Sequence, residues 1–332
     1  MEQKSFNKRL IAEWETQEFV QLMFPHSQSD WSEYLDEVLP VFEEIAQSIA
    51  KYQPCIVCYM EEKSIQNIKN KENIILKKVA SNDTWCRDFG GITILNGDKI
   101  EVLDYIFNGW GNKFDASLDN QITKELFCDL RSYDFVLEGG SIDSNGDGVV
   151  LTTSECLLEK NRNPSFTKEQ ITAKLKDDLG IKELIWIENG YLEGDDTDSH
   201  IDMLARFVDK NTIVYQTCDD KDDIHYKPLK LMEEEIKKLP FQSYALPWIE
   251  AKYYDDERLP ASYANFLFIN GAVLVPIYQD KNDEKALELF KKLLPKYDII
   301  GIDCSKIIRQ HGSLHCCTMQ YPKGVRLNEK RK

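Results

Sequence analysis

Leu35, Val38, Phe42, Ile45 and Ile49 recur at three- and four-residue spacing, which predicts a helix with one buried face, capped by Ser32 and kinked or delimited at Pro40. Short apolar runs bounded by turn residues predict strands at 20–24, 55–59, 74–79, 92–95 and 100–107, with a short helix over 64–70. A helix over 119–130 leads to a strand that runs through Val136 to Ser141 and takes 149–153 as its hairpin partner. The same reading gives helices over 167–179, 229–238 and 283–294, with strands at 184–187, 203–208, 212–216, 243–246 and 299–302. A hairpin over 265–276 turns at Asn270-Gly271, and a closing strand carries Cys316. Two strands, a helix and a strand recur, so the class is mixed α/β without the strict alternation of a doubly wound sheet. No linker-like stretch divides the chain, so one domain is expected over 1–332, with a frayed basic tail from about 324 to 332.

Composition narrows the function. Of 332 residues, 42% are hydrophobic and 30% charged, enough to bury a large core. A net charge of −16 opposes binding to nucleic-acid phosphates or anionic membranes and favours a small cationic ligand. The first residues lack an apolar leader, and no apolar run approaches the ~20 residues of a membrane span, so a cytoplasmic protein is expected. Nine scattered cysteines, among them Cys55 and Cys58, read as reduced core thiols rather than a disulfide framework. No glycine-rich nucleotide-binding loop is present.

Asp143-Ser144-Asn145-Gly146-Asp147-Gly148 imitates a calcium loop, but Ser154 stands where the bidentate glutamate is needed, so the segment reads as a turn. The polar residues in glycine-flanked or strand-end segments are Asp88, Glu138, His200, Asp202 and Cys316. Two facing carboxylates, Asp88 and Asp202, suit a planar guanidinium, which they hold by paired charge-assisted hydrogen bonds while sulfur attacks its carbon. At spacing i and i+2, His200 and Asp202 share a face of an extended strand. His315 beside Cys316 is the obvious base, yet His200, paired with Asp202 and oriented by Glu138, accounts for both proton transfers of a covalent hydrolysis. A zinc site from His200, His315, Cys316 and Cys317 lacks the usual ligand spacing.

Trp85-Cys86-Arg87-Asp88, Leu137-Glu138-Gly139-Gly140, Asp196-Thr197-Asp198-Ser199-His200-Ile201-Asp202 and His315-Cys316-Cys317-Thr318-Met319-Gln320-Tyr321-Pro322 resemble the signature segments of the agmatine deiminase and bacterial peptidyl-arginine deiminase family. Phe24-Pro25-His26 and Phe107-Asn108-Gly109-Trp110-Gly111 extend the resemblance over nearly the whole chain. It implies a five-bladed β/α-propeller of ββαβ-like modules with pseudo-fivefold symmetry, a central active site, and no metal or organic cofactor. It implies Cys316 as nucleophile, His200 as acid/base, Glu138 as its partner, Asp88 and Asp202 as guanidinium clamps, and Trp85, Trp110 and Asp196 along the substrate path. Ser199 departs from the family's usual glycine, and Cys317 and Met319 replace its usual Ile and Gln. The expected substrate is agmatine. Peptidyl-arginine or free arginine deimination and amidinotransfer are the neighbouring readings, and a non-catalytic binder of guanidines or polyamines is the distant one. A homodimer or larger homo-oligomer is compatible with the chain.

Overall fold

Five sheets repeat one pattern in the computed structural model, which describes residues 8–328. In each, a first strand pairs antiparallel with a second, and the chain then crosses through helical structure to a third strand parallel to the second. The units are Ile92–Asn96, Lys99–Ile106 and Leu130–Val136; Ile142–Ser144, Val149–Thr153 and Glu183–Ile187; Ala205–Asp209, Thr212–Tyr215 and Gln242–Ala245; and Leu267–Ile269, Ala272–Ile277 and Asp298–Asp303. The fifth combines Thr318–Pro322 with Gln17–Met23 and Cys55–Tyr59, so one sheet joins opposite ends of the described chain. A sixth sheet is the hairpin of Lys252–Tyr254 and Glu257–Leu259. Parallel neighbours cannot be joined by a tight turn. Helices Leu35–Ala50, Asp119–Leu126, Lys168–Leu179, Tyr226–Ile236 and Asp283–Leu293 supply the crossovers.

The core lies where helix faces meet these sheets: Val38, Phe42 and Ile45 are fully buried, as are Val20, Leu22, Ile56 and Val57 of the adjoining strands. Burial of that many aliphatic side chains, at about 1.5–3 kcal/mol each, is the main force holding the layers together. Among the described residues no helix is long and apolar enough to cross a membrane.

Several sequence expectations need correction. Helix Leu35–Ala50 runs through Pro40, whose ring lies on the exposed face, and Ser32 belongs to a separate 3-10 turn instead of capping it. Residues 64–70 form no helix beyond the short turn Glu62–Ile65. The helix predicted over 119–130 stops at Leu126, because Phe127 is already extended and Leu130 begins a strand. The partner of Val149–Thr153 is Ile142–Ser144, separated from Leu130–Val136 by the turn at Gly139–Ser141. Residues 324–328 are fastened, with Val325 buried and the Asn328 amide bonded to the Leu126 carbonyl. The rest of the predicted tail, 329–332, lies outside the described residues.

Candidate active site

The five units place polar side chains at a common position, just ahead of their first strands. Asp88 sits in the helical turn Cys86–Phe89 before Ile92–Asn96, and Glu138 precedes the turn that opens Ile142–Ser144. His200 and Asp202 sit at the turn Ile201–Leu204 before Ala205–Asp209. Asn265 precedes Leu267–Ile269, and Cys316 precedes Thr318–Pro322. His200 and Asp202 therefore do not share a strand face, and Cys316 lies in the loop before the closing strand. His200 is the non-helical residue ahead of the turn, with φ −51° and ψ 135°, while Asp202 lies inside it, so the change of backbone at His200 is what aims both side chains at one cluster.

Gly140 shows how tightly the groups converge. A Cβ there would lie 2.5 Å from His200 Nδ1, 2.8 Å from Asp88 Oδ1 and 3.1 Å from Asp202 Oδ2, so only glycine leaves them together. The Gly140 amide donates to Asp88 Oδ1 at 3.1 Å, and the Trp110 indole N–H donates to Asp88 Oδ2 at 2.9 Å. Asn265 Nδ2 donates to Cys316 Sγ at 3.2 Å, and Asn265 Oδ1 accepts from the His315 amide at 2.8 Å. Asp202 Oδ2 accepts from His315 Nδ1 at 2.7 Å, while Asp202 Oδ1 and both ring nitrogens of His200 have no hydrogen-bond partner. Buried polar atoms are rarely left unpaired, so these three point to a ligand.

Burial pushes the Asp88 carboxyl up to about 6; nearby His200 works against this, and the charges of Asp202 and Glu138 add to it. Asp202 is held below the ordinary range despite burial, by its bond to His315 and by the positive charges around it. For His200 burial opposes charge, but Asp88, Cys156 and Glu138 outweigh it and raise the imidazole to about 10. Burial, reinforced by Asp202 and Asp88, holds the Cys316 thiol well above its usual value, so it rests protonated.

Glu138 does not hydrogen-bond His200. Its carboxylate accepts from Arg162 Nε at 2.8 and 3.1 Å, and Arg162 also donates to Asp198 Oδ2 at 2.7 Å and the Thr197 carbonyl at 2.9 Å. The Arg162 cation thus ties Glu138 to the loop that carries His200. In that loop Ser199 has φ 64°, in the left-handed region that favours glycine, and its hydroxyl donates to Glu155 at 3.0 Å. Ligating atoms of Glu138, Cys156 and His200 lie within 4.8 Å of one another, yet a metal there would have to displace Arg162 from Glu138. His315 spends both nitrogens on carboxylates, which removes it from the zinc set weighed above.

A cavity of about 400 Å³ ends on Cys316 and Asp88. Trp85, Phe107, Trp110 and Phe114 give it aromatic walls; Asp30, Asp83, Asp88, Asp115, Asp119 and Asp196 line it, with no lysine or arginine among its lining residues. All three residues expected along the substrate path, Trp85, Trp110 and Asp196, are in this lining. Trp85 fits against Gly312, where an added Cβ would come within 2.2 Å of the indole. Trp110 has φ 52° in a run of positive-φ residues from Gly109 to Asn112, backbone strain held in place by its bond to Asp88.

Asn265, Arg162 and Glu13 were not singled out from sequence. Asn161-Arg162-Asn163-Pro164 offered a faint signal, a cation inside a turn-rich segment, while Asn265 looked like the start of a hairpin. Glu13 is buried and accepts from Arg206, His315 and the Phe268 amide.

Asp88 and the Cys316 thiol line an acidic, aromatic-walled cavity, and Asp202 and the His200 imidazole, whose Nδ1 lies 3.6 Å from Asp88 Oδ1, gather with Asp88 around Gly140 behind that lining; together they make a receptor for a planar cation that sulfur can reach. The chain belongs to the Porphyromonas-type peptidyl-arginine deiminase family, whose model matches residues 9–322. It is similar to a solved structure of a cysteine-to-serine variant of C. jejuni agmatine deiminase with substrate bound, at 45% identity and a TM-score of 0.95, covering 98% of this chain and 99% of that one. A structure of Enterococcus faecalis agmatine deiminase catalysing its reaction matches at 28% identity and a TM-score of 0.88, covering 96% and 97% of the two chains. Agmatine deiminase of Pseudomonas aeruginosa is 30% identical over 353 residues, covering 95% of each chain. The mixed α/β fold is the one these deiminases share.

Proposed function

We propose that this chain hydrolyses agmatine to N-carbamoylputrescine and ammonia. The observation that carries the reading is the cavity itself, lined by six aspartates and no lysine or arginine, with Cys316 at its foot. Agmatine is cationic at both ends, whereas the α-carboxylate of free arginine would meet charge of its own sign, even with Asp83 and Asp119, which burial raises to about 7 and 8, left out of the count. The agmatine deiminases among its relatives support the same substrate.

In this reading the guanidinium lies between Asp88 and Asp202. Its charge offsets the two carboxylates that help hold the Cys316 thiol protonated, so substrate binding favours the thiolate, and the thiol proton leaves to solvent through the open cavity because His200 is already protonated. Sulfur adds to the guanidinium carbon, and His200, an imidazolium before reaction, gives its proton to the departing ammonia. The product of this half-reaction is an S-alkylthiouronium on Cys316. His200, now neutral, takes one proton from water as the oxygen adds to the same carbon; the carbon–sulfur bond then breaks, and the second water proton passes to the departing Cys316 sulfur, leaving the ureido group and the resting thiol. Glu138 favours the imidazolium through its charge, while Arg162 holds Glu138 in place.

The recurrence of the five sheet units supports a single domain built as a five-bladed β/α-propeller around the site. A cytoplasmic setting and a homo-oligomer belong to the same proposal. Ureido product and ammonia would be measured with agmatine, free arginine and an arginyl peptide, without added amine acceptor. Agmatine should be turned over at least tenfold better by kcat/KM; equal or better use of the peptide sinks the substrate assignment, and ammonia release only with an amine acceptor would mean amidinotransfer.

A further inference from the structure

We infer that His315 serves this reaction as a doubly protonated positioning residue, fixing Asp202 for the guanidinium and taking no part in proton transfer. The inference rests on the deiminase reading above and deepens it. His315 is buried, with Nδ1 2.7 Å from Asp202 Oδ2 and Nε2 2.7 Å from Glu13 Oε2. An ionised carboxylate only accepts hydrogen bonds. Although burial opposes it, cations other than this ring also hold both carboxyl groups toward the ionised form: Arg206 and Arg87 act on Glu13, and His200 and Arg206 on Asp202. A neutral ring would have to turn a lone pair toward one of them, leaving two acceptors face to face in the interior. Only a ring that donates from both nitrogens satisfies both partners.

The remaining charged groups around this ring agree. Arg87 Nη2 lies 3.6 Å from Glu13 Oε2, Arg206 Nη2 lies 2.9 Å from the same oxygen, and Arg206 Nε is 3.0 Å from Asp143 Oδ1. Glu13, Asp143 and Asp202 thus face Arg87, Arg206 and His315, a balanced set when the imidazole carries its second proton. With both nitrogens engaged, His315 has none left for the Cys316 proton, although it is the adjacent residue. Its bond to Oδ2 leaves Asp202 Oδ1, the unpartnered oxygen, as the one offered to substrate. Asn265 Oδ1 accepts from the amides of both His315 and Cys316, at 2.8 and 3.3 Å, so ring and thiol are set from a single anchor.

The chain's five histidines make imidazole nitrogen NMR of the wild-type protein assignable. At neutral pH both ring nitrogens of His315 should carry protons; one unprotonated nitrogen overturns the inference. His315→Gln should raise KM for agmatine by about ten- to a hundredfold, the worth of one charge-assisted hydrogen bond, and change kcat less. The pH dependence of Cys316 alkylation should stay in place in that variant. A displaced alkylation profile, or an unchanged KM, would show His315 to be a base or a bystander. If the variant does not fold, the wild-type NMR measurement still decides. Wild-type turnover is measured first: absent agmatine hydrolysis refutes the proposed activity without touching the ring's protonation, whereas turnover with a neutral ring refutes this inference alone.

Discussion

Asp88 carries two demands that pull against each other, burial deep enough to exclude water and a negative charge for a cationic substrate. Burial raises its carboxyl to about 6, so as pH falls through that value the group takes up a proton and loses its attraction for a guanidinium. KM for agmatine should therefore rise below pH 6. Asp88→Asn should raise KM at least about tenfold at neutral pH and flatten that limb, which pH profiles of kcat/KM for the two proteins would reveal. The residues that gather in the candidate site could be picked out in sequence because Cys316, His200, Glu138, Asp88 and Asp202 stand in segments broken by glycine or at strand ends. Asn265 and Arg162 were not legible, since an amide at a hairpin start and an arginine in a loop look the same whether they hold a thiol, a carboxylate or only water.

At the scale of the element, the decisive feature is the short turn ahead of each first strand. Strand ends are rigidly placed by their ladders, so a side chain one turn upstream inherits that rigidity. The turn at Gly139–Ser141 also has to admit its neighbours. Gly140→Ala should cut kcat/KM by at least about a hundredfold, because the methyl would push His200, Asp88 and Asp202 apart; agmatine hydrolysis near wild-type level would contradict the close approach. Arg162 is an element-level tie, joining the residues before one first strand to the loop before the next. Removing it as Arg162→Ala leaves the Glu138 carboxylate buried without its cation and should destabilise the protein by about 3–5 kcal/mol, readable as a lower urea midpoint. The periodicity of residues 35–49 announced its helix correctly, but it could not show that Pro40 would be tolerated on the solvent face.

Over the whole molecule, several buried groups bind protons more tightly folded than unfolded. Burial lifts Asp88 to about 6, Asp83 to about 7 and Asp119 to about 8, and the carboxylates around His200 lift it to about 10 against burial. For each acid the stabilising state is the protonated one, lost as pH rises through the folded value. The histidine's contribution is likewise lost upward, through about 10. The signs agree, so stability should decline from pH 6 to pH 9 by at least about 1 kcal/mol. A thermal midpoint that rises over this range would show that these groups are not buried as described.

By itself the sequence determined the repeat of two strands, helix and strand, the acidic character and the candidate site's residue types, because hydrophobic period, turn residues and charge are local properties. Only the tertiary structure decided which groups meet. Glu13 reaches His315 across 302 positions, and Asn265 reaches Cys316 across 51. Such pairings carry no periodic signal: they arise where the sheet units bring the residues before their first strands together, and buried charges then persist only where a partner of opposite sign or a hydrogen-bond donor is within reach.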